Sequence, residues 1–405
     1  MIWHVWTKNT LKIVLTLGLL MPFSCKSQGD KSPLQPIPAA QNMGRYLPLL
    51  QSKQIGLVAN QTSVVKNSTI ETESFTHLAD TLRSLGISLK KVFSPEHGFR
   101  GTADAGAHIS SGVDQKTGLE VISLYGANKK PRVEDLADID LMIFDIQDVG
   151  VRFYTYVSTL HYVMEACAEQ NIPLIVLDRP NPNAHYIDGP LLKDDFKSFV
   201  GMHPVPVVYG MTIGEYAKMI NGESWLQGQI KTDLTVISVE NYTHHTPYAL
   251  PIAPSPNLRS KQAIALYPSL CFFEGTPISA GRGTNRPFEI FGAPNLNVER
   301  YPFEFRPVAR QGAKWAKFKD EICHGLDLGQ ITPGEHLELG WLIDTYNEAA
   351  DKENFFNPFF DKLAGTDQLK KDIQAGLTKE EIYARWTKEL EDFEQIRAKY
   401  LLYTD

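Results

Sequence analysis

The chain has 405 residues, of which 43% are hydrophobic and 21% are charged, and its formal net charge at pH 7 is −7. This composition excludes a disordered or fibrous protein, and the length is sufficient for two domains with a sizeable core. The negative charge disfavours nucleic acid as a partner, because phosphate contacts need clustered lysines and arginines.

The N-terminus predicts an export signal. Lys8 and Lys12 flank a short apolar stretch, residues 13–23, which is too brief for a comfortable membrane span. The stretch ends at Ser24-Cys25, which indicates lipoprotein cleavage with Cys25 as the lipid anchor; an ordinary secretory peptide is the alternative. Removal of residues 1–24 takes two lysines from the net charge of −7 and leaves −9. We therefore expect an exported bacterial protein, periplasmic or in the outer membrane, that contacts the membrane only through its lipid.

Residues 26–41 are rich in serine and proline and predict a tether. The strands and helices predicted beyond it are 54–60 (strand), 70–85 (helix), 89–93 (strand), 120–125 (strand), 141–144 (strand), 154–170 (helix), 173–177 (strand), 212–219 (helix) and 234–239 (strand). The strands are continuous apolar runs, which predicts burial on both faces and a parallel sheet with helices on either side. We expect an α/β fold with a Rossmann-like, doubly wound, mostly parallel sheet in a first domain over residues 42–280.

The texture of the sequence changes beyond residue 280. Aromatic-rich segments lead to a charged helical tail at residues 379–400, which predicts a smaller C-terminal α+β domain over residues 281–405. Past the predicted anchor, the cysteines are Cys167, Cys271 and Cys323, whose wide spacing gives neither a zinc pattern nor a disulfide framework, although one bridge is possible. The sequence carries no signal for an oligomeric state.

A Rossmann-like outline raises the question of a nucleotide cofactor. The first predicted strand is followed by Asn60-Gln61-Thr62-Ser63-Val64, and neither G-x-G-x-x-G nor G-x-x-x-x-G-K-[ST] occurs in the chain. Without those glycines the backbone cannot approach a pyrophosphate closely at a helix start. We therefore expect no cofactor.

The strongest candidate for an active site is the loop Ser94-Pro95-Glu96-His97-Gly98-Phe99-Arg100-Gly101. It follows the predicted strand 89–93 directly and contains an acid, an imidazole and a guanidinium within five residues. In an open α/β sheet, ligands bind outside the carboxyl ends of the strands. The spacing by itself does not name a reaction.

Two further strand ends carry polar side chains. After residue 144 come Asp145, Gln147, Asp148, Arg152 and Tyr154, and after residue 177 come Asp178, Arg179, Asn181 and Asn183. A single Asp at such a position more often caps the next helix. Three such loops at one sheet edge favour a shared polar pocket.

Two downstream loops are further candidates. Arg282 lies between glycines in the segment that also contains Glu274 and Thr284, and it suits planar recognition of a carboxylate or phosphate. Asn257 lies in a proline-rich turn. The alternative for both loops is a structural turn, with Arg282 in a salt bridge.

Six segments in this order resemble the NamZ-type exo-β-N-acetylmuramidases. They are FSPEHGFRG (93–101), DLMIFDIQDVGVRFYTY (140–156), LDRPNPN (177–183), YGMTIGEYA (209–217), APSPNL (253–258) and EGTPISAGRGTNRPFEIFGAP (274–294). The resemblance implies an exported glycoside hydrolase of cell wall recycling that removes N-acetylmuramic acid from the non-reducing ends of peptidoglycan fragments. It also implies a site between a Rossmann-like catalytic domain and a smaller C-terminal domain, with the acid of the EHG motif, Glu96, as the catalytic residue.

Glycoside hydrolysis needs a carboxylic acid to protonate the leaving oxygen and usually a second carboxylate. Glu96 fits the first role. For the second, Asp145, Asp148, Asp178 and Glu274 are open alternatives. The 2-acetamido group of the sugar can instead attack the anomeric carbon, with an Asp such as Asp148 to orient it.

The lactyl carboxylate of muramic acid needs a cation. Arg100, Arg152 and Arg282 are candidates, and we prefer Arg282 because its glycines free the backbone to approach. The candidate catalytic residues are Glu96, Asp148 and Asp145, and the candidate substrate-binding residues are His97, Arg100, Arg152, Tyr154, Asp178, Arg179, Asn181, Asn183, Asn257, Glu274, Arg282 and Thr284.

Two rival functions stay open. A lipoprotein that captures muropeptides without cleaving them has the same cleft and arginine but no need for a protonated Glu96. A metal-dependent hydrolase with His97, Asp145 and Asp148 as ligands has suitable residue types, but no motif such as H-E-x-x-H supports it. We therefore expect no metal.

Overall fold

The computed structural model describes residues 34–67, 73–100 and 111–404, of which residues 35–404 belong to one compact unit. The strands of these residues are β1 (Ile55–Ala59), β2 (Val64–Lys66), β3 (Phe75–His77), β4 (Leu89–Ser94), β5 (Gly112–Val113), β6 (Glu120–Ser123), β7 (Leu141–Asp145), β8 (Leu174–Leu177), β9 (Leu234–Ile237), β10 (Ile290–Ala293), β11 (Phe303–Phe305) and β12 (Cys323–Asp327). The α-helices are α1 (Met43–Leu50), α2 (Leu78–Ser84), α3 (Val133–Leu136), α4 (Tyr156–Gln170), α5 (Ile213–Gly222), α6 (Lys261–Leu270), α7 (Gly340–Glu348), α8 (Pro358–Ala364), α9 (Gln368–Gln374) and α10 (Lys379–Arg397). The predicted signal and its anchor, Cys25, lie outside the described residues. None of the described helices is both long and apolar enough to cross a membrane.

The central sheet has seven strands in the order β5-β6-β4-β1-β7-β8-β9, and all of its pairs are parallel except β5 with β6. Strands β1, β7 and β8 are buried along their whole length. Their alternate residues enter two different core clusters, as Phe144 and Ile143 do, because each face of the sheet is covered. The predicted doubly wound α/β fold is confirmed.

The strand order defines where a ligand can enter. The chain builds β1, β4 and β6 outward in one direction and then returns to place β7 on the other side of β1. The sheet therefore switches direction between β1 and β7, and the carboxyl ends of β1, β4 and β7 converge beside a crevice. The loop with Glu96 follows β4 at this edge.

Within the described residues, the predicted helix 70–85 is wrong for residues 75–77. Residues 75–77 form β3, which pairs antiparallel with β2, and α2 begins only at Leu78. His77 ends the strand because its extended backbone and its Nδ1, which accepts a hydrogen bond from the Ala79 N–H at 3.1 Å, cap the helix. The short strand lacks the apolar alternation that would have predicted it.

The last residues of the predicted tether 26–41 pack against the fold. The Ile37 N–H donates to the Glu240 carbonyl at 2.9 Å, and the Ala39 N–H donates to the Asp178 carbonyl at 3.0 Å. Ala39 and Ala40 are fully buried. The small side chains that suggest a tether instead fit closely against the sheet.

The C-terminal part has a three-stranded antiparallel sheet in the order β10-β12-β11, with helices α7–α10. The charged helical tail is α10, which starts with a capping box between Thr378 and Glu381. Phe144 of the large sheet and Phe360 of α8 belong to one continuous core cluster. The predicted domain boundary at residue 280 therefore stays a prediction. Cys167, Cys271 and Cys323 are buried and form no disulfide with one another.

Candidate active site

A cleft of about 720 Å³ opens at the carboxyl edge of the sheet and reaches the C-terminal part. The loop after β4 contributes Glu96 to its lining, and the loop after β7 contributes Phe153 and Thr155. The other side of the lining comes from α6 and the segments after it, and includes Tyr267, Cys271, Glu274, Ser279, Ala280, Arg282, Gly312, Ala313, Lys314, Trp315, Ala316, Lys317, Phe359 and Leu363. The remaining lining residues are Tyr125, Gly126, Lys129, Phe199 and Val200.

Glu96 is held at the mouth of β4 by local backbone geometry. His97 and Gly98 both have positive φ, 72° and 80°, so the chain turns sharply directly after the glutamate. The Thr155 hydroxyl, which lies just before α4, donates to Glu96 Oε2 at 2.9 Å. Glu96 is partly exposed, whereas His97 is buried. The turn and the threonine together aim one carboxylate into the cleft.

A chamber of about 60 Å³ adjoins the cleft at Glu96. Glu96, Phe153, Thr155, Tyr267 and Arg282 line both spaces, so they mark the junction. The chamber is completed by His97, Tyr154, Tyr156, Ser255, Asn257, Leu258 and Phe288.

The polar side chains of the chamber have defined partners. The Tyr154 hydroxyl donates to the Pro254 carbonyl at 2.8 Å, and the Asn257 side-chain amide donates to the Gly312 carbonyl at 2.7 Å. Burial raises the pKa of Tyr156 above its ordinary range, and the negative charge of Glu96 raises it further. Tyr156 is therefore a neutral hydroxyl beside the Glu96 carboxyl.

Arg282 and Glu274 form an ion pair in the cleft wall, with Arg282 Nε 2.7 Å from Glu274 Oε1. Burial disfavours the Arg282 cation, but the Glu274 carboxylate outweighs burial and raises the guanidinium pKa above its usual value. The guanidinium lies over the Phe288 ring at 5.2 Å. Among the described residues, no hydrogen bond engages the two terminal nitrogens of Arg282.

Lys317 closes the loop that carries Glu274. Its ammonium donates to the backbone carbonyls of Phe273, Thr276 and Ile278 at 2.7, 2.6 and 3.1 Å. Burial lowers the Lys317 pKa below its ordinary value. The lysine fixes the backbone that positions the Arg282–Glu274 pair.

The structure does not bring Asp145 to the cleft. Asp145 is fully buried and accepts two hydrogen bonds from Arg179, at 2.6 and 2.8 Å. Asp145 and Arg179 thus neutralise each other beneath the sheet edge. Their positions do not support the predicted roles in catalysis and substrate binding.

Asp148 is also buried away from the cleft. Its Oδ2 accepts hydrogen bonds from the Tyr209 hydroxyl and, at 2.7 Å, from the Gly150 N–H. Burial raises the Asp148 pKa to about 6. Its Oδ1 is buried and has no hydrogen-bond partner among the residues that the structure describes. Asp148 therefore shapes the loop after β7 rather than lining the site.

The loop after β8 is structural. Asp178 accepts hydrogen bonds from the Thr212 hydroxyl at 2.7 Å and the Gly214 N–H at 2.8 Å, and so binds the start of α5, the next α-helix. Asn181 donates to the Met211 carbonyl and Asn183 to the Val149 carbonyl, both at 2.8 Å. Asp178 is not itself the N-cap of α5, which is Thr212, but it binds this cap residue and the first turn of the helix. None of Asp178, Arg179, Asn181 and Asn183 lines the cleft or the chamber.

Two of the predicted carboxylate-binding arginines are engaged elsewhere. The Arg152 side chain is fully buried and donates to the carbonyls of Pro190, Val205, Leu363 and Ala364 at 2.7–2.9 Å. Arg100 donates to Asp114, with Nη2 2.8 Å from Oδ2.

The remaining candidate, Thr284, also lies outside the lining. Its hydroxyl donates to the Gly281 carbonyl at 2.7 Å and so shapes the glycine loop of Arg282.

The two acids of the metal alternative have other partners in the structure. Asp145 pairs with Arg179, and Asp148 accepts a hydrogen bond from the Tyr209 hydroxyl. Within the described ranges, no group of three or more His, Cys, Asp and Glu side chains has the arrangement of a metal site.

Sequence reasoning missed several lining residues. Thr155 follows the β7 loop directly and was discoverable as a hydroxyl between two aromatic residues. Phe153 and Tyr267 are almost fully buried and also line the cleft, and an apolar aromatic in the sequence does not distinguish these two positions from the core. Trp315 has no sequence signal, because the loop around it matches no motif.

Comparisons with known proteins agree with this architecture. The models of the N-terminal and C-terminal parts of the exo-β-N-acetylmuramidase NamZ match residues 55–262 and 265–403. The peptidoglycan β-N-acetylmuramidase NamZ of Bacillus subtilis (strain 168) is 39% identical over 381 residues, which cover 88% of this chain and 89% of that protein.

Two solved structures of DUF1343 family proteins from Bacteroides fragilis also match. One has a TM-score of 0.83 at 43% identity and the other a TM-score of 0.75 at 29% identity, and each match covers 92% of this chain and all of the solved chain. The sequence and structural matches agree with each other over nearly all of the described residues. The chain therefore belongs to the NamZ family of exo-β-N-acetylmuramidases.

Proposed function

We propose that this protein is an exo-acting glycoside hydrolase that releases N-acetylmuramic acid from the non-reducing ends of peptidoglycan fragments, with Glu96 as its general acid and base. Family membership and the 39% identity to a peptidoglycan β-N-acetylmuramidase support the reaction and the substrate class. The main structural support for this role of Glu96 is that the residue lines both the chamber and the cleft.

Glu96 supplies the proton that the leaving sugar requires. A protonated carboxyl donates to the glycosidic oxygen as the bond to the anomeric carbon breaks, and the resulting carboxylate then takes a proton from the attacking water. The Thr155 hydroxyl holds one carboxyl oxygen, Oε2, and so fixes the rotation of the group. The neutral Tyr156 lines the chamber beside Glu96.

Arg282 binds the lactyl carboxylate. Its Nε is occupied by Glu274, so the two terminal nitrogens present a planar, bidentate donor pair toward the cleft. The Glu274 carboxylate keeps the guanidinium charged and oriented. This contact distinguishes muramic acid from N-acetylglucosamine, which lacks the lactyl group.

The second chemical role falls to the sugar itself. Among the residues described, the acids of the cleft and chamber lining are Glu96 and Glu274, and Glu274 is held by Arg282. The 2-acetamido group then acts as the internal nucleophile. Replacement of the acetamido by a trifluoroacetamido group is expected to lower kcat by at least tenfold; an unchanged kcat would instead assign the role to Glu274.

The test of Glu96 uses a matched pair of variants. Glu96→Gln is expected to abolish release of N-acetylmuramic acid from the disaccharide of N-acetylmuramic acid and N-acetylglucosamine. Glu120→Gln, on the exposed part of β6, is expected to cleave like the wild type. Product is measured by mass spectrometry, and thermal unfolding verifies that both variants fold.

Two outcomes would refute this function. If Glu96→Gln released N-acetylmuramic acid at the wild-type rate, Glu96 would have no role in the reaction. Tight binding of the disaccharide by the wild type without any release would instead identify a muropeptide-binding lipoprotein.

We also propose export and lipid attachment at Cys25. The support is the charged and apolar pattern before Ser24-Cys25, together with a substrate that lies outside the cytosol. Metabolic labelling with an alkyne fatty acid is expected to mark the wild type and not Cys25→Ala. Equal labelling of the two proteins would refute the anchor.

A further inference from the structure

Trp315 is the most exposed large hydrophobic side chain of the described residues, at 89%. It lies in the lining of the cleft, in the loop between β11 and β12. Tryptophan is enriched at binding interfaces, because its ring is apolar while its indole N–H can stay in contact with water. On this side of the cleft, Phe359 is also exposed, at 40%, whereas Tyr267 is only 7% exposed.

This difference in exposure distinguishes a buried inner end of the cleft from an open rim. Phe153 and Tyr267, both almost fully buried, stand at the junction with the chamber, whereas Trp315 stands at the open rim. Glu96 lies at the inner end. A glycan whose terminal sugar sits at Glu96 must therefore leave the protein past the rim on which Trp315 is placed.

The volumes set what each space can hold. One water needs about 10–15 Å³ of such volume, so the chamber of about 60 Å³ has room for a small substituent and not for a sugar ring. At about 30 Å³ for each water in the liquid, the cleft of about 720 Å³ has room for roughly two dozen waters, which is enough for two substituted sugar rings. Both the terminal sugar and its neighbour are therefore accommodated in the cleft.

We propose that Trp315 is the stacking platform for the leaving sugar, the first residue on the reducing side of the cleaved bond. This inference rests on the proposed function, since it takes the direction of the glycan from exo cleavage at Glu96. The axial C–H groups of a pyranose ring carry partial positive charge and pack on the negative face of the indole. The hydroxyl groups stay in water at the rim.

The charges near Trp315 fit a peptidoglycan fragment better than a neutral glycan. Lys314 and Lys129 line the same cleft, and neither forms an ion pair with a residue that the structure describes. Lys129 lies over the Phe199 ring at 4.8 Å. In a protein with a net charge of −7, two unpaired cations in a cleft attract an anionic ligand, such as a chain with further muramyl carboxylates.

The test compares two substrates that share the muramyl group. N-Acetyl-β-muramosyl fluoride has a leaving group too small to reach the rim, whereas the disaccharide places N-acetylglucosamine against Trp315. Trp315→Ala is expected to lower kcat/KM for the disaccharide by about tenfold or more and to leave the fluoride within about twofold. Trp315→Phe is expected to restore most of the disaccharide activity, because it keeps an aromatic face.

Ile322→Ala serves as the control, because Ile322 is 47% exposed and lies outside the cleft lining. It is expected to leave both substrates unchanged. An equal loss on fluoride and disaccharide in Trp315→Ala, or no loss on either, would overturn the platform. Failure of the wild type to cleave either substrate would contradict the proposed function itself, and the two failures are therefore distinguishable.

Discussion

Replacement of Arg282 tests whether the lactyl carboxylate is recognised by this guanidinium. The side chains of Arg282 and Glu274 are 26% and 25% exposed, so the site is partly desolvated. A hydrogen bond to a charged group contributes about 1.5–3 kcal/mol under such conditions, which exceeds the 0–1 kcal/mol of an exposed pair. Since 1.4 kcal/mol is a tenfold change, loss of the contact is expected to weaken binding of N-acetylmuramic acid by about 10- to 100-fold.

Arg282→Ala alone is an imperfect variant, because it leaves Glu274 as an unpaired carboxylate in the cleft wall. That charge would repel the lactyl group and destabilise the loop. The double variant Arg282→Met/Glu274→Gln removes both charges and keeps similar volumes. We therefore expect the single variant to bind muramic acid more weakly than the double variant, and the double variant to bind it more weakly than the wild type.

The assay is inhibition by the two product sugars, N-acetylmuramic acid and N-acetylglucosamine, against a chromogenic muramide. In the double variant, the inhibition constant for N-acetylmuramic acid is expected to rise by about 10- to 100-fold, while that for N-acetylglucosamine changes less than threefold. An equal rise for both sugars would show that Arg282 acts on the shared part of the ring, and it would refute recognition of the lactyl group.

Three other perturbations have defined outcomes. Arg152→Met is expected to destabilise the fold by about 3 kcal/mol or more in urea unfolding, because it leaves four buried carbonyls without their donor; a wild-type midpoint would contradict this. The folded state holds the Asp148 proton more tightly than the unfolded state does. Protonated Asp148 therefore stabilises the fold fully below about pH 4, and this contribution is lost as the pH rises through about 6. Asp148→Asn is therefore expected to gain up to about 3 kcal/mol relative to the wild type between pH 4 and 7.5, and a constant difference would refute the assignment. Lys129→Ala/Lys314→Ala is expected to flatten the salt dependence of kcat/KM for longer anionic glycans, whereas an unchanged salt slope would exclude these lysines.

The fold was predictable because its signal is local and repeated. Strands β1, β7 and β8 are uninterrupted apolar runs, and only a sheet covered on both faces accommodates such runs. The strand β3 was not predictable, because its three residues owe their conformation to pairing with β2. A tertiary contact of this kind leaves no period in the sequence.

The candidate site was predictable in part. Glu96, His97, Tyr154, Asn257, Glu274 and Arg282 all line the cleft or its chamber. Their loops either follow β4 and β7 or come from the C-terminal part that closes the crevice. Position at the carboxyl edge was therefore a sound guide to which segments meet.

The same guide failed where the polar side chain had a structural task. Asp145 and Asp178 stand at the ends of β7 and β8, but one pairs with Arg179 and the other binds the start of α5. Whether a carboxylate at a strand end faces the ligand or the protein depends on partners from distant segments. Arg152 shows this most clearly, since two of its acceptors lie more than 200 residues away.

The most direct test of the central claim is how the loss in Glu96→Gln depends on the leaving group. A general acid contributes about 10²–10⁴ in rate when the leaving oxygen needs a proton, and little when it does not. We predict that Glu96→Gln lowers kcat/KM by at least a hundredfold for the N-acetylglucosamine leaving group and by less than tenfold for 2,4-dinitrophenolate. An equal loss for the two leaving groups would contradict proton donation by Glu96.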